Sequence, residues 1–85
     1  MWQYQPVPTT LDAIRERLGA AFPGATIQVR DTTGGDDHFE ARVLSSAFAG
    51  RRQLERHRMV YAALGELMAT RIHALSLVTE ESNNP

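Results

Sequence analysis

Apolar residues first recur at three- and four-residue spacing. Leu11, Ile14, Leu18 and Phe22 therefore share one face of a predicted helix. Thr9 stands at the N-cap position, with Asp12 three residues on as an acidic variant of the capping box. "FPG" at 22–24 stops that helix. The period then changes to two. Ile27 and Val29 fall on one side of "TIQVRD" (26–31), and Phe39, Ala41 and Val43 on one side of "HFEARVLS" (38–45). Between them "TTGGDD" (32–37) holds two glycines that accept positive φ and aspartates that tolerate tight turns, so the two runs predict a β-hairpin. "SSAFAG" (45–50) reads as a short turn or one-turn helix closed by Gly50. From about Arg52 to Ala69 the helical period returns. Leu54, His57, Tyr61, Leu64 and Met68 form a core-facing stripe, with Val60 and Leu67 beside it. "RIHALSLVT" (71–79) is too short and too β-rich for another long helix and predicts a strand.

The predicted order is α-β-β-(short α)-α-β. The final strand–helix–strand crossover favours parallel, right-handed pairing. The hairpin supplies an antiparallel pair. The expected fold is α+β, a three-stranded mixed sheet with helices packed on one face. Pro6 and Pro8 make residues 1–8 an irregular lead-in, 9–79 form a single domain, and 80–85 form a polar tail.

Composition narrows the function. The 85 residues include no cysteine, so no disulfide staples the small core and no thiolate from this chain binds metal. A net charge of −1 argues against a protein that is basic overall. "MWQYQPVPTT" has neither the basic nor the apolar region of a signal peptide, and no apolar run has the length of a membrane span. A cytoplasmic protein without membrane contact is the expectation. No catalytic set is visible: there is no cysteine nucleophile, no Gly-x-Ser-x-Gly elbow and no Gly-rich phosphate loop. Asp36 and Asp37 are adjacent in the turn, so their side chains diverge, and they read as turn formers and solubilising charges.

The candidate chemistry lies in three histidines and one basic run. His73, just after Ile72 at the start of the last predicted strand, reads from residue type alone as a strand-end histidine bonded to backbone. His38, where the Gly-rich turn enters the second strand, reads equally as an exposed loop histidine or as a ligand. His57 falls within the apolar stripe and reads as a packing residue. "RRQLERHR" (51–58) sets Arg51, Arg52, Arg56 and Arg58 against Glu55, a candidate phosphate-binding surface. Helical geometry sends Arg52 and Arg56 to a different side from Arg51 and Arg58, so a solvated face flanking the core is the competing reading. A face that docks an acidic protein surface is a third.

"GDDHFEARVLSSAFAG", "RHRMVYAALGELM" and "IHALSLVT", in this order over about residues 10–79, resemble the BolA family. The resemblance implies a fold related to the class II KH domain. It also implies a non-enzymatic role, partnering a monothiol glutaredoxin in a shared 2Fe-2S cluster, with links to iron handling and, in some bacterial members, to gene regulation. His73, in "IHAL", looks like the family's metal ligand. Members with a longer hairpin loop carry a cysteine or histidine within it. The loop here has neither, and His38 at its end is the nearest candidate. "TEESNNP" replaces the Thr-Pro and Trp-containing tail of many members. Imidazole suits iron, and replacing thiolate by histidine raises a cluster's potential. Because histidine binds only when deprotonated, such a site is expected to be acid-sensitive. With no thiol in the chain, the cluster is expected to be shared with a partner, and none to be held by the isolated chain. The alternative is a nucleic-acid-binding transcriptional regulator that meets DNA through Arg51, Arg52, Arg56 and Arg58. The Gly-x-x-Gly clamp of KH domains is missing from "FAGRRQ", which has one glycine.

Overall fold

Helix α1 (Thr10–Ala21) starts where the sequence places its cap. The Thr9 hydroxyl accepts from the Asp12 N–H at 3.1 Å, and the Asp12 carboxylate accepts from the Thr9 N–H at 3.4 Å. These values belong to a computed structural model that describes residues 9–82. The lead-in expected at 1–8 and the tail residues 83–85 lie outside the described residues. Ile14, Leu18 and Phe22 are buried as the spacing predicts, while Leu11 is only partly buried.

Strands β1 (Thr26–Asp31) and β2 (His38–Ser45) form the expected antiparallel hairpin, and β3 (Ala74–Glu81) pairs with β2 in parallel. The sheet order is β1-β2-β3, so β2 is central. Phe39, Ala41 and Val43 are buried on the helix side of β2. On the other face, cross-strand ion pairs join Arg30 to Glu40 at 3.0 Å and Arg42 to Glu80 at 2.8 Å. The last strand is displaced from expectation. It begins at Ala74 rather than at 71 and continues to Glu81, two residues into the expected tail, with Glu80 opposite Leu44 and Glu81 opposite Ser45.

A one-turn 3-10 helix (Ser46–Phe48) follows β2 and buries Phe48 completely. The long helix expected from Arg52 to Ala69 is two helices, α2 (Gln53–Leu64) and α3 (Leu67–Thr70). Gly65 separates them with φ 55° and ψ −131°, a conformation open in practice only to glycine. Arg17 of α1 secures the break. Its guanidinium donates to the Leu64 carbonyl at 2.8 Å and pairs with the Glu66 carboxylate.

The packing of α2 also departs from the predicted stripe. Val60, Leu64 and Leu67 are buried, but Leu54 is 61% exposed and Tyr61 40% exposed. The cause is visible one turn into α2. Arg56 lies over the buried Phe48 ring, 5.9 Å from guanidinium carbon to centroid, and so holds the sheet-facing position. Residues two apart are about 200° apart around a helix, so turning Arg56 inward turns Leu54 outward. His57 is partly buried, with its Nε2 buried and without a hydrogen-bond partner among the described residues, and its ring meets Tyr61 edge-on at 6.4 Å.

The Arg17–Glu66 pair predicts an acid response. The hydrogen bond from Arg17 lowers the Glu66 pKa from 4.5 to about 2. A depressed carboxylate stabilises the fold above its unfolded value, and that contribution is lost as pH falls from 4.5 towards 2. The denaturation midpoint should therefore fall across this window in wild type and fall less steeply in Glu66→Gln. The pair is exposed, so the difference should be modest and should shrink in high salt.

Candidate metal-ligand site

Parallel pairing aligns the first residues of β2 and β3. His38 opens β2 opposite Ala74, and His73 immediately precedes Ala74. Two histidines far apart in the chain thereby become neighbours, their ring centroids 4.9 Å apart and their planes inclined at 53°. His73 does not lie inside the strand, as expected, but is the residue before it. Its backbone N–H donates to the Asp37 carbonyl at 2.8 Å, and the Ala74 N–H reaches the same oxygen at 3.3 Å. The anchoring to backbone thus runs through the main chain. The His73 ring is exposed and has no hydrogen bond among the described residues.

His38 is held differently. Its Nδ1 lies 3.0 Å from Asp37 Oδ1. The hydrogen bond to His38 is the main cause that holds the Asp37 carboxyl below its usual range. An ionised Asp37 can only accept, so it favours a proton on Nδ1 and leaves the lone pair on Nε2 of His38. Carboxylates in this position orient metal-binding imidazoles.

The hairpin loop is organised by its own aspartates. The Asp31 carboxylate accepts from the N–H groups of Thr33, Gly34 and Asp36 at 3.2, 2.8 and 2.9 Å. Asp36, at φ 60°, turns its carboxylate onto the start of α1, accepting from Thr10 N–H at 2.8 Å and Leu11 N–H at 3.1 Å. Those bonds, Thr10's first, and the charge of Arg71 hold its carboxyl below the usual range. The sequence reading missed both roles. Asp36 ties the loop to α1 and Asp37 positions His38, so the acidic pair does more than form a turn. The signal for the histidine pair was available: two strands paired in parallel bring their first residues together.

A surface depression of about 300 Å³ adjoins His73, lined by Asp37, Ala69, Thr70, Arg71 and Ile72. Among the described residues, no group of three or more histidine, aspartate or glutamate side chains is placed to hold a metal ion. The donor set is a pair of imidazoles at the surface. Such a pair fits half of a ligand set, with the rest supplied from outside the chain.

The four arginines do not share one role. Arg56 is withdrawn from the surface, its side chain 19% exposed, with Nε donating to the Arg51 carbonyl at 2.8 Å and Nη2 lying 3.9 Å from the Glu81 carboxylate. Arg51 lies 3.6 Å from Glu55. Arg52 and Arg58 are exposed and form no ion pair among the described residues. No helix among the described residues is long and apolar enough to cross a membrane.

Residues 8–84 match the family described as BolA-like protein. The chain belongs to that family. This BolA-like chain is 39% identical over 75 residues to a protein of Escherichia coli named DNA-binding transcriptional regulator BolA, a match covering 80% of this chain and 71% of that one. It is 39% identical over 72 residues to BolA-like protein 1 of Bos taurus, covering 76% of this chain but 53% of that longer protein. In three dimensions it is similar to BolA1 from Arabidopsis thaliana, with a TM-score of 0.81 at 28% identity, covering 93% of this chain and 100% of the other. A bolA protein homologue from Coxiella burnetii superposes with a TM-score of 0.72 at 37% identity, covering 91% and 95%. The helix and strand order read from the sequence is thus that of solved BolA structures.

Proposed function

We propose that this BolA-like chain is a non-enzymatic adaptor that partners a monothiol glutaredoxin and shares a 2Fe-2S cluster with it, in iron–sulfur trafficking or iron sensing. The observation that carries this reading is the pairing of the half-buried His38 with the exposed His73, 4.9 Å between centroids. With Fe–N or Zn–N bonds of about 2.0–2.1 Å and ring centres about 1 Å behind the ligating nitrogens, two imidazoles on one metal have centres about 5 Å apart. His38 and His73 would hold one iron of the cluster, with Asp37 orienting His38 through Nδ1. When bound, the cluster supplies one-electron chemistry and a transferable iron–sulfide unit. The chain has no cysteine, so thiolate ligands come from the glutaredoxin or a small thiol. The Asp37 contact orients the His38 ring and the backbone bond of residue 73 fixes where its side chain begins, which lowers the ordering cost of binding.

A second reading rests on the name of the Escherichia coli relative, a DNA-binding transcriptional regulator. Here Arg52 and Arg58 would meet phosphates, since Arg56 is engaged internally and Arg51 faces Glu55. Two mixing experiments separate the readings. With a cluster-loaded monothiol glutaredoxin, the chain should give a mixed complex whose visible circular dichroism differs from that of the glutaredoxin alone. With duplex DNA at two salt concentrations, binding that loses about one unit of log–log salt slope in each of Arg52→Ala and Arg58→Ala would favour the regulator. An unchanged glutaredoxin spectrum at excess chain would defeat the adaptor reading.

A further inference from the structure

The apolar stripe read from the sequence is only partly used by the fold. What α2 leaves outside is ordered: Leu54, Arg58 and Tyr61 lie four and three residues apart, on one face. Leu54 is 61% and Tyr61 40% exposed, and Arg58 between them has no ion pair among the described residues. Arg51, three residues before Leu54, lies on the same flank and 3.6 Å from Glu55, while Arg52, two residues before Leu54, falls on a different side. This surface is remote from the histidine pair. Arg56 of α2 lies against Glu81, at the far end of β3 from His73, and an eight-residue strand is about 26 Å long.

We propose that the outer face of α2 is a docking surface for an acidic amphipathic helix of a partner protein, with Leu54 and Tyr61 as apolar anchors and Arg58 as the charged contact. Three observations select this occupant. The anchors are about 10.5 Å apart along a straight ridge, the spacing at which a helix laid alongside presents its own i and i+7 residues. The local charge is positive while the whole chain carries −1, so the attraction is short-ranged and suits an acidic protein segment better than a polyanion. A second copy of the chain is a poor match. Its one other exposed large apolar side chain among the described residues, Val78, stands in register with Arg42. Two anchors make a small contact, of the size seen in transient complexes. The surface does not depend on the iron–sulfur reading. It would let the chain hold a second protein while the histidine end is occupied.

The test uses the full chain and two synthetic helical peptides with the same leucines at i, i+3 and i+7, one flanked by glutamates and one by lysines. Amide chemical shifts are followed during titration. The glutamate peptide should shift residues 54, 57, 58 and 61, and the lysine peptide should not. Arg58→Glu should weaken the glutamate peptide about tenfold and gain binding of the lysine peptide. Leu54→Ala with Tyr61→Ala should abolish both effects while the circular dichroism spectrum stays native, since both side chains project from the surface. His73→Ala should leave peptide binding unchanged, which separates this surface from the histidine site. Equal response to the two peptides, shifts centred away from α2, displacement of the peptide by duplex DNA, or concentration-dependent self-association through these residues would each overturn the proposal.

Discussion

The double variant His38→Ala, His73→Ala is expected to erase the visible circular dichroism that distinguishes the mixed complex from the cluster-loaded glutaredoxin alone. Thermal unfolding of the free chain should barely change. Both imidazoles are surface groups, and the hydrogen bonds that fix this corner come from the main chain of residue 73 and Ala74 to the Asp37 carbonyl, which survive truncation to alanine. The nitrogens proposed as ligands do not survive it, and water replaces imidazole poorly on iron. The single variants should rank. His73→Ala should have the larger effect and His38→Ala the smaller, because a small thiol can occupy the loop-side position. Asp37→Asn should fall between wild type and the double variant, since it weakens the group that orients His38 while leaving both rings in place. Lowering the pH should mimic the double variant in wild type, because protonation competes with the metal for the imidazole nitrogen. Wild-type spectra in the double variant would show that the chain's ligands lie elsewhere.

Phe48→Ala should be the most damaging single substitution in the core, costing about 3–5 kcal/mol in equilibrium denaturation. A domain of this length has about 4–13 kcal/mol of stability in all, so the variant should sit near its unfolding threshold. Phe48 is fully buried, packs against Phe22 with centroids 5.3 Å apart and tilted rings, and carries the Arg56 guanidinium above it. Removing the ring leaves a void between α1 and the start of α2 and takes away the surface on which Arg56 lies. Phe48→Leu keeps most of the volume and should cost clearly less. If Phe48→Ala retained wild-type stability, the 3-10 turn would be peripheral, and the rotation of α2 would need another cause.

These expectations also mark how far the chain could be read before the structure. Where periodicity was strong and locally capped, it was sufficient: α1 with its Thr9–Asp12 box, and the two strands around "TTGGDD". It failed where one residue overrides the period. Gly65 sits inside an otherwise helical pattern, and its mirror-region conformation divides one predicted helix into two. The burial of Leu54 and Tyr61 was misjudged for a non-local reason. The inward turn of Arg56 depends on Phe48 lying beneath it, and a helical wheel cannot contain a ring from another element. The histidine pair is an intermediate case. Parallel pairing was predicted, but the strand start at Ala74, which decides that His73 meets His38, depends on how many residues α3 and its turn consume. Asp36 as a cap for α1 connects residues 26 apart and has no local signature.

The parallel register between β2 and β3 also determines when the histidine pair comes into being. His38 is in place once the hairpin closes, but its neighbour arrives only after 53–70 have formed their helices and the last strand has docked. Pairing across such a crossover is slow relative to closing a hairpin. A chain cut before Ile72 keeps His38 and His57 but lacks His73, and with it the pair. On the proposed reading, a grip on iron would thus wait on the docking of β3, and metal binding would report that the domain is complete.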